Sequence, residues 1–365
     1  MRTPKHVALL LSLAALFSGS GAHAGENNNP AYSAPYLSTK TKCYSCSDTL
    51  DFTKPAYAPY KKALRFWGPK CRYCITRQVP RQSPEILLFL HPKNCGQTFW
   101  AKTKALHFPF YNQWKKMDRD YPTVISVSFG PVWFMAPQNQ SPQSGLLEAF
   151  MDVIVPEIEQ SIKADPQSKK LVMGFSMGGY NATQLLLRYP EKIKRAAILC
   201  PGIMSDRLFK LDSKQALQRF INKTENYASF ADTDRLWDAL KNFRAVFPTH
   251  AIWNAQASPV GAYARKRLGS QTPPLLLFST RRDPFLIFEG VRQFADIAKD
   301  KMKDRLLWLP RKGLTHCFPF PVRPTARFLA GEDLSKIDTS FSDEPSGTGK
   351  QQKNTAGKDT PCCDK

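Results

Sequence analysis

Residues 174–178 read Gly-Phe-Ser-Met-Gly, a G-x-S-x-G pentapeptide centred on Ser176. A serine hydroxyl is a poor nucleophile until a histidine takes its proton and an acid holds that imidazole in the right tautomer. The apolar run Leu171–Phe175 leads into the pentapeptide, and a helix-periodic stretch, Tyr180–Tyr189, follows. Strand, tight turn and helix in that order are what a nucleophile elbow requires, with glycines where the two backbones crowd. The plainer alternative is a glycine turn that only packs helix on strand.

The partners of such a serine should come later, the acid before the histidine, each on a loop beyond the C-terminal end of a strand. Asp283, in Ser-Thr-Arg-Arg-Asp-Pro, follows the predicted strand Pro274–Phe278, and His316, in Gly-Leu-Thr-His-Cys-Phe, follows Arg305–Leu309. Both meet the order. Glu289 is the reserve acid, although it falls inside a predicted helix, and His250 is a reserve base that breaks the order. The blander roles are an aspartate paired with Arg281 or Arg282 and a loop histidine bonded to backbone.

A tetrahedral intermediate also needs donors aimed at its oxyanion. One is expected from the backbone N–H of Met177, at the positive start of the elbow helix. The second should come from the loop His91-Pro92-Lys93-Asn94-Cys95-Gly96; Pro92 has no N–H, so the Lys93 amide is the candidate. His91 and Trp133 are candidate pocket residues, Trp133 with plain core packing as its alternative.

The elements needed to position these groups are visible as short buried runs. Ile86–Leu90, Thr123–Phe129, Leu171–Phe175, Ala196–Cys200, Pro274–Phe278 and Arg305–Leu309 read as strands. Helical spacing predicts helices over about 143–163, after Ser176, over Phe285–Ala298 and over Pro321–Leu329. Alternating buried strands and helices imply the α/β class, a mostly parallel central sheet with helices on both faces. Residues 203–271 form an insertion with helical patterns at Lys214–Phe220 and Thr233–Phe243, either a lid over the site or a surface excursion. The expected organisation is a signal peptide at 1–24, an irregular Cys-containing extension at 25–82, the main domain at 83–330 and a disordered tail at 331–365.

The signal assignment rests on Arg2, Lys5 and His6, an apolar run Val7–Phe17 and an A-x-A site ending at Ala24. It predicts a periplasmic or secreted protein, with no later stretch long enough to cross a membrane. Its removal takes Arg2 and Lys5 and no acidic residue, so the formal charge goes from +22 to +20. Such a surface favours anionic surroundings, without the fold signature of a specific nucleic-acid binder. Nine cysteines include two C-x-x-C pairs, Cys43/Cys46 and Cys71/Cys74. Export favours disulfides among them, with a four-thiolate zinc site as the alternative. Cys95 and Cys317, both on loops near the expected site, are a guessed pair.

Gly-Phe-Ser-Met-Gly-Gly-Tyr, the downstream Leu-Leu-Arg-Tyr-Pro-Glu-Lys, the Leu-His-Pro-Lys-Asn-Cys loop and the placing of Asp283 and His316 together resemble the esterase D-like family of the α/β-hydrolase superfamily. The resemblance covers about residues 83–330. It implies an α/β-hydrolase fold and acyl-ester hydrolysis or transfer through an acyl-enzyme on Ser176, without metal or organic cofactor. The loop departs from that family at Pro92, where many relatives have glycine. The leading expectation is an exported carboxylic-ester hydrolase acting on a small-molecule, lipid-linked or polysaccharide-linked ester. An acyltransferase and a non-catalytic binding protein on the same scaffold are the alternatives.

Overall fold

The structure, a computed structural model, describes residues 38–79, 82–134, 145–223, 233–312, 316–317 and 320–339. The expected signal segment and the tail from residue 340, with Cys362 and Cys363, lie outside the described residues.

Among the described residues eight strands form one sheet: β1 (Ser38–Ser45), β2 (Arg72–Val79), β3 (Gln82–Leu90), β4 (Tyr121–Ser128), β5 (Lys170–Phe175), β6 (Ile193–Leu199), β7 (Leu275–Thr280) and β8 (Leu306–Arg311). Their spatial order is β1-β2-β4-β3-β5-β6-β7-β8. From β4 to β8 every neighbouring pair is parallel, while β1–β2 and β2–β4 are antiparallel. Strands covered on both faces read as near-continuous apolar runs, and β4, β5 and β7 are buried throughout. All six strands expected from the apolar runs are present, shifted by a few residues at their ends. The expected helices are also present, at Leu146–Ala149 running through a π turn into Val155–Ser161, and at Met177–Arg188, Ile287–Met302 and Val322–Leu329.

The expectation of an irregular extension before residue 83 is corrected: residues 38–79 supply two strands of the main sheet. β1 reads Ser-Thr-Lys-Thr-Lys-Cys-Tyr-Ser. It is an edge strand with too few apolar residues to produce a hydrophobic signal, and lysine is a common guard on such edges. Two disulfides, Cys43–Cys74 and Cys46–Cys71, fasten it to β2 and its approach. A helix at Lys104–Lys116 was also hidden. Its Phe110, Tyr111 and Trp114 are wholly buried, but Pro109 and flanking lysines interrupt the helical pattern.

At the foot of β5, the buried Glu159 and Lys170 pair at 3.1 Å, and the ammonium also donates to the Pro166 carbonyl. Burial pushes the Glu159 carboxyl up to about 7, against the opposing pull of Lys170. Because the folded pKa lies above the unfolded value, this group's contribution is complete below about pH 4.5 and is lost as pH rises through about 7. Replacing Lys170 by methionine strands the carboxylate and should cost about 3–5 kcal/mol where Glu159 is ionised. Urea unfolding of Lys170→Met and wild type at pH 5 and pH 8 checks this: the deficit should be larger at pH 8.

Candidate active site

β5 delivers Ser176 at its C-terminal end, directly before the helix Met177–Arg188. Ser176 has φ 56° and ψ −115°, a conformation costly for any side-chain-bearing residue. It is held there because Ser176 N–H donates to Leu199 O (3.0 Å) while Tyr180 and Gly202 N–H groups both donate to Ser176 O (3.0 Å each). The glycines of the pentapeptide answer a real crowding. A Cβ at 174 would lie 2.2 Å from Gly178 O, and one at 178 would lie 2.0 Å from Leu90 O. The elbow is thus wedged against the end of β3.

Asp283 lies three residues beyond β7 and His316 five beyond β8, so both reach the same rim of the sheet as Ser176. His316 Nδ1 is 2.6 Å from Asp283 Oδ2, and His316 Nε2 is 2.8 Å from Ser176 Oγ. A carboxylate only accepts, so Nδ1–H donates to Asp283, leaving Nε2 to accept the serine O–H. Asp283 has no exposed surface, and its Oδ1 accepts the Phe285 N–H at 2.9 Å. The Phe285 ring meets the imidazole edge-on at 4.8 Å. Neither reserve group joins this chain: His250 pairs with Asp206, and Glu289 accepts from Gln293 at 3.4 Å.

A cavity of about 270 Å³ opens over Ser176 and His316. Pro92, Lys93 and Asn94 line one side of it. The Met177 N–H belongs to the first turn of its helix, where the chain offers no intrahelical acceptor. The apolar wall is Trp133, Met204, Leu236, Phe285 and Ile287. Trp133 also packs on Tyr180 (5.3 Å) and Phe243 (5.5 Å), so it is wall and core at once. His91 does not line this cavity. It is buried behind Met177 beside a far smaller void, bonds the Pro92 carbonyl at 2.9 Å, and burial depresses its pKa. A larger depression of about 650 Å³, at Asn254, Arg265 and Asp300, holds neither the serine nor His316.

Several wall residues escaped the sequence reading. Gly202 and Met204 follow β6, and Phe285 and Ile287 follow β7. The rule that ligands lie beyond the carboxyl ends of parallel strands was signal enough to find them. Leu236 and Ala239 come from the helix Thr233–Val246 of the insertion, which therefore roofs part of the cavity.

The Cys95–Cys317 guess is corrected: Cys317 is bonded to Cys200, with 5.6 Å between their Cα atoms. Loop proximity had suggested a partner, but Cys200 sits at the end of β6, which adjoins the elbow strand. Both cysteines are fully buried and have positive φ (41° and 66°). The bridge ties the residue after His316 to the rim that carries Ser176. If His316 serves Ser176 as a base, removing the bridge in Cys200→Ala/Cys317→Ala should lower kcat about 100-fold through histidine misplacement, with KM nearly kept. Steady-state kinetics with circular dichroism to verify folding are the measurement.

A family model described as the alpha/beta hydrolase fold matches residues 150–303. With the eight-stranded order above, that decides the fold. The chain has the α/β-hydrolase fold. It is 27% identical over 161 residues (40% of this chain, 46% of the other) to an uncharacterized carboxylesterase of Bacillus subtilis (strain 168). It is 32% identical over 90 residues (24% and 34%) to a pimeloyl-[acyl-carrier protein] methyl ester esterase of Hamiltonella defensa subsp. Acyrthosiphon pisum (strain 5AT). The chain thus spans less than half the length of these curated relatives. A solved ferulic acid esterase superposes with TM-score 0.51 over 80% of this chain and 97% of that one; at 10% identity the likeness speaks for the fold alone.

Proposed function

We propose that the chain is an exported serine hydrolase that cleaves carboxylic acyl esters through an acyl-enzyme. The observation that carries this reading is the unbroken relay from Ser176 Oγ through His316 to buried Asp283, at 2.8 and 2.6 Å. In that catalytic triad Ser176 Oγ attacks the ester carbonyl as His316 Nε2 takes its proton. Asp283 steadies the imidazolium, and the backbone N–H groups of Met177 and Lys93 receive the oxyanion. His316 then protonates the departing alkoxide. In the second half it takes a proton from water, which attacks the acyl carbonyl, and returns that proton to Ser176. The steps call on no metal or organic cofactor.

The apolar walls at Trp133, Leu236 and Phe285 suit an apolar part of a small ester. Three disulfides among the described residues suit an oxidising compartment, periplasmic or extracellular. A fluorophosphonate probe tests the reading: one adduct, mapped to Ser176, is expected in folded protein and none after denaturation. An unlabelled folded protein would favour the non-catalytic binding scaffold. Product analysis with and without an acceptor alcohol separates hydrolysis from acyl transfer.

A further inference from the structure

A second cavity, of about 520 Å³, opens beside the edge strand β1 and shares no lining residue with the one over Ser176. Its size is within the roughly 300–1,000 Å³ typical of small-ligand sites. Lys40, Lys42 and Tyr44 of β1, Ile75 and Arg77 of β2, and Lys163 from the turn after Val155–Ser161 line it. Among the described residues no carboxylate does.

The register sets Lys40 directly opposite Arg77, and Lys42 is two residues along on the same face. Like charges facing each other across a ladder repel. The disulfide Cys43–Cys74, on the opposite face, clamps the two strands regardless, with Cα atoms 4.0 Å apart. Arg77 Nε is shielded from solvent and has no acceptor among the described residues. Edge protection accounts for lysines on β1. It does not call for an arginine on the inner strand or a lysine arriving from across the cavity. Three cations held together by a covalent clamp, with Lys163 facing them from the turn, are instead arranged for a multivalent anion, which charge-assisted hydrogen bonds would hold.

The floor narrows the choice. Tyr44 is half-buried, stacked on Tyr73 at 5.0 Å, and Ile75 continues the apolar surface beside it. An aromatic and aliphatic floor ringed by cations matches a pyranose ring that carries a carboxylate, its C–H face on Tyr44 and its charge on the lysines. We propose that this cavity binds a carboxylated oligosaccharide, a segment of a polyuronate, as a holding site that does not depend on the reactivity of Ser176.

Calorimetric titration of the full chain with tetragalacturonate at low ionic strength, where charge pairing is least screened, is the test. Maltotetraose and vesicles of mixed phosphatidylserine and phosphatidylcholine serve as comparison probes. Saturable tetragalacturonate binding is expected, weakened about tenfold or more in Lys42→Gln/Arg77→Gln with melting behaviour retained. Lys163→Gln, outside the sheet, should weaken it in the same direction without touching the ladder. Absent binding, equal binding of maltotetraose, a preference for the vesicles, or undiminished binding by both variants would each overturn the proposal.

Discussion

Ser176→Ala should lower kcat for a soluble acyl ester by about a million-fold while leaving KM close to wild type. The hydroxyl is the attacking atom in the proposed reaction, and its removal leaves the cavity walls and the oxyanion donors in place. Whatever rate remains above water would come from those donors and from binding, which persist when a triad member is lost. Folding should be unaffected, because alanine meets the same strain as serine at φ 56°. Glycine, free at that angle, should relieve it and raise stability by about 1–3 kcal/mol while being equally inactive. Kinetics on purified Ser176→Ala and Ser176→Gly, with thermal melts, provide the check. More than a tenth of wild-type kcat in Ser176→Ala would mean that another residue attacks.

How far this site was legible depended on what kind of signal each part leaves in a sequence. β3 to β8 were readable because strands covered on both faces become continuous apolar runs, such as Ile86–Leu90 and Pro274–Phe278. The order of those strands then located Asp283 and His316 as loop residues on one rim, and the structure brings them to Ser176. β1 left no such trace. Its stability comes from backbone pairing and two disulfides rather than from buried side chains, and neither has a periodicity. The helix Lys104–Lys116 was obscured differently, by a proline and lysines set among its buried aromatics. Cys200 was missed as the partner of Cys317 because pairing depends on distance across the sheet, and the two are 117 residues apart in the chain.

Asp283→Asn should be almost as damaging, lowering kcat about 10⁴-fold at neutral pH with KM little changed. The reason lies in which oxygen faces which donor. Asp283 Oδ1 accepts the Phe285 N–H at 2.9 Å, so the asparagine oxygen must take that position. The asparagine NH₂ then occupies the place of Oδ2, 2.6 Å from His316 Nδ1. An NH₂ there can only donate, so Nδ1 becomes the acceptor and the imidazole proton moves to Nε2. Nε2–H points at Ser176 Oγ and cannot take the proton that the attack must release. The scaffold should hold, since asparagine is nearly isosteric and keeps the Phe285 bond. Glu289→Gln is the matched control and should be near wild type, because Glu289 bonds Gln293 on its own helix. Steady-state kinetics on the two variants decide between the acids: a large loss in Glu289→Gln with activity kept in Asp283→Asn would move the role to Glu289.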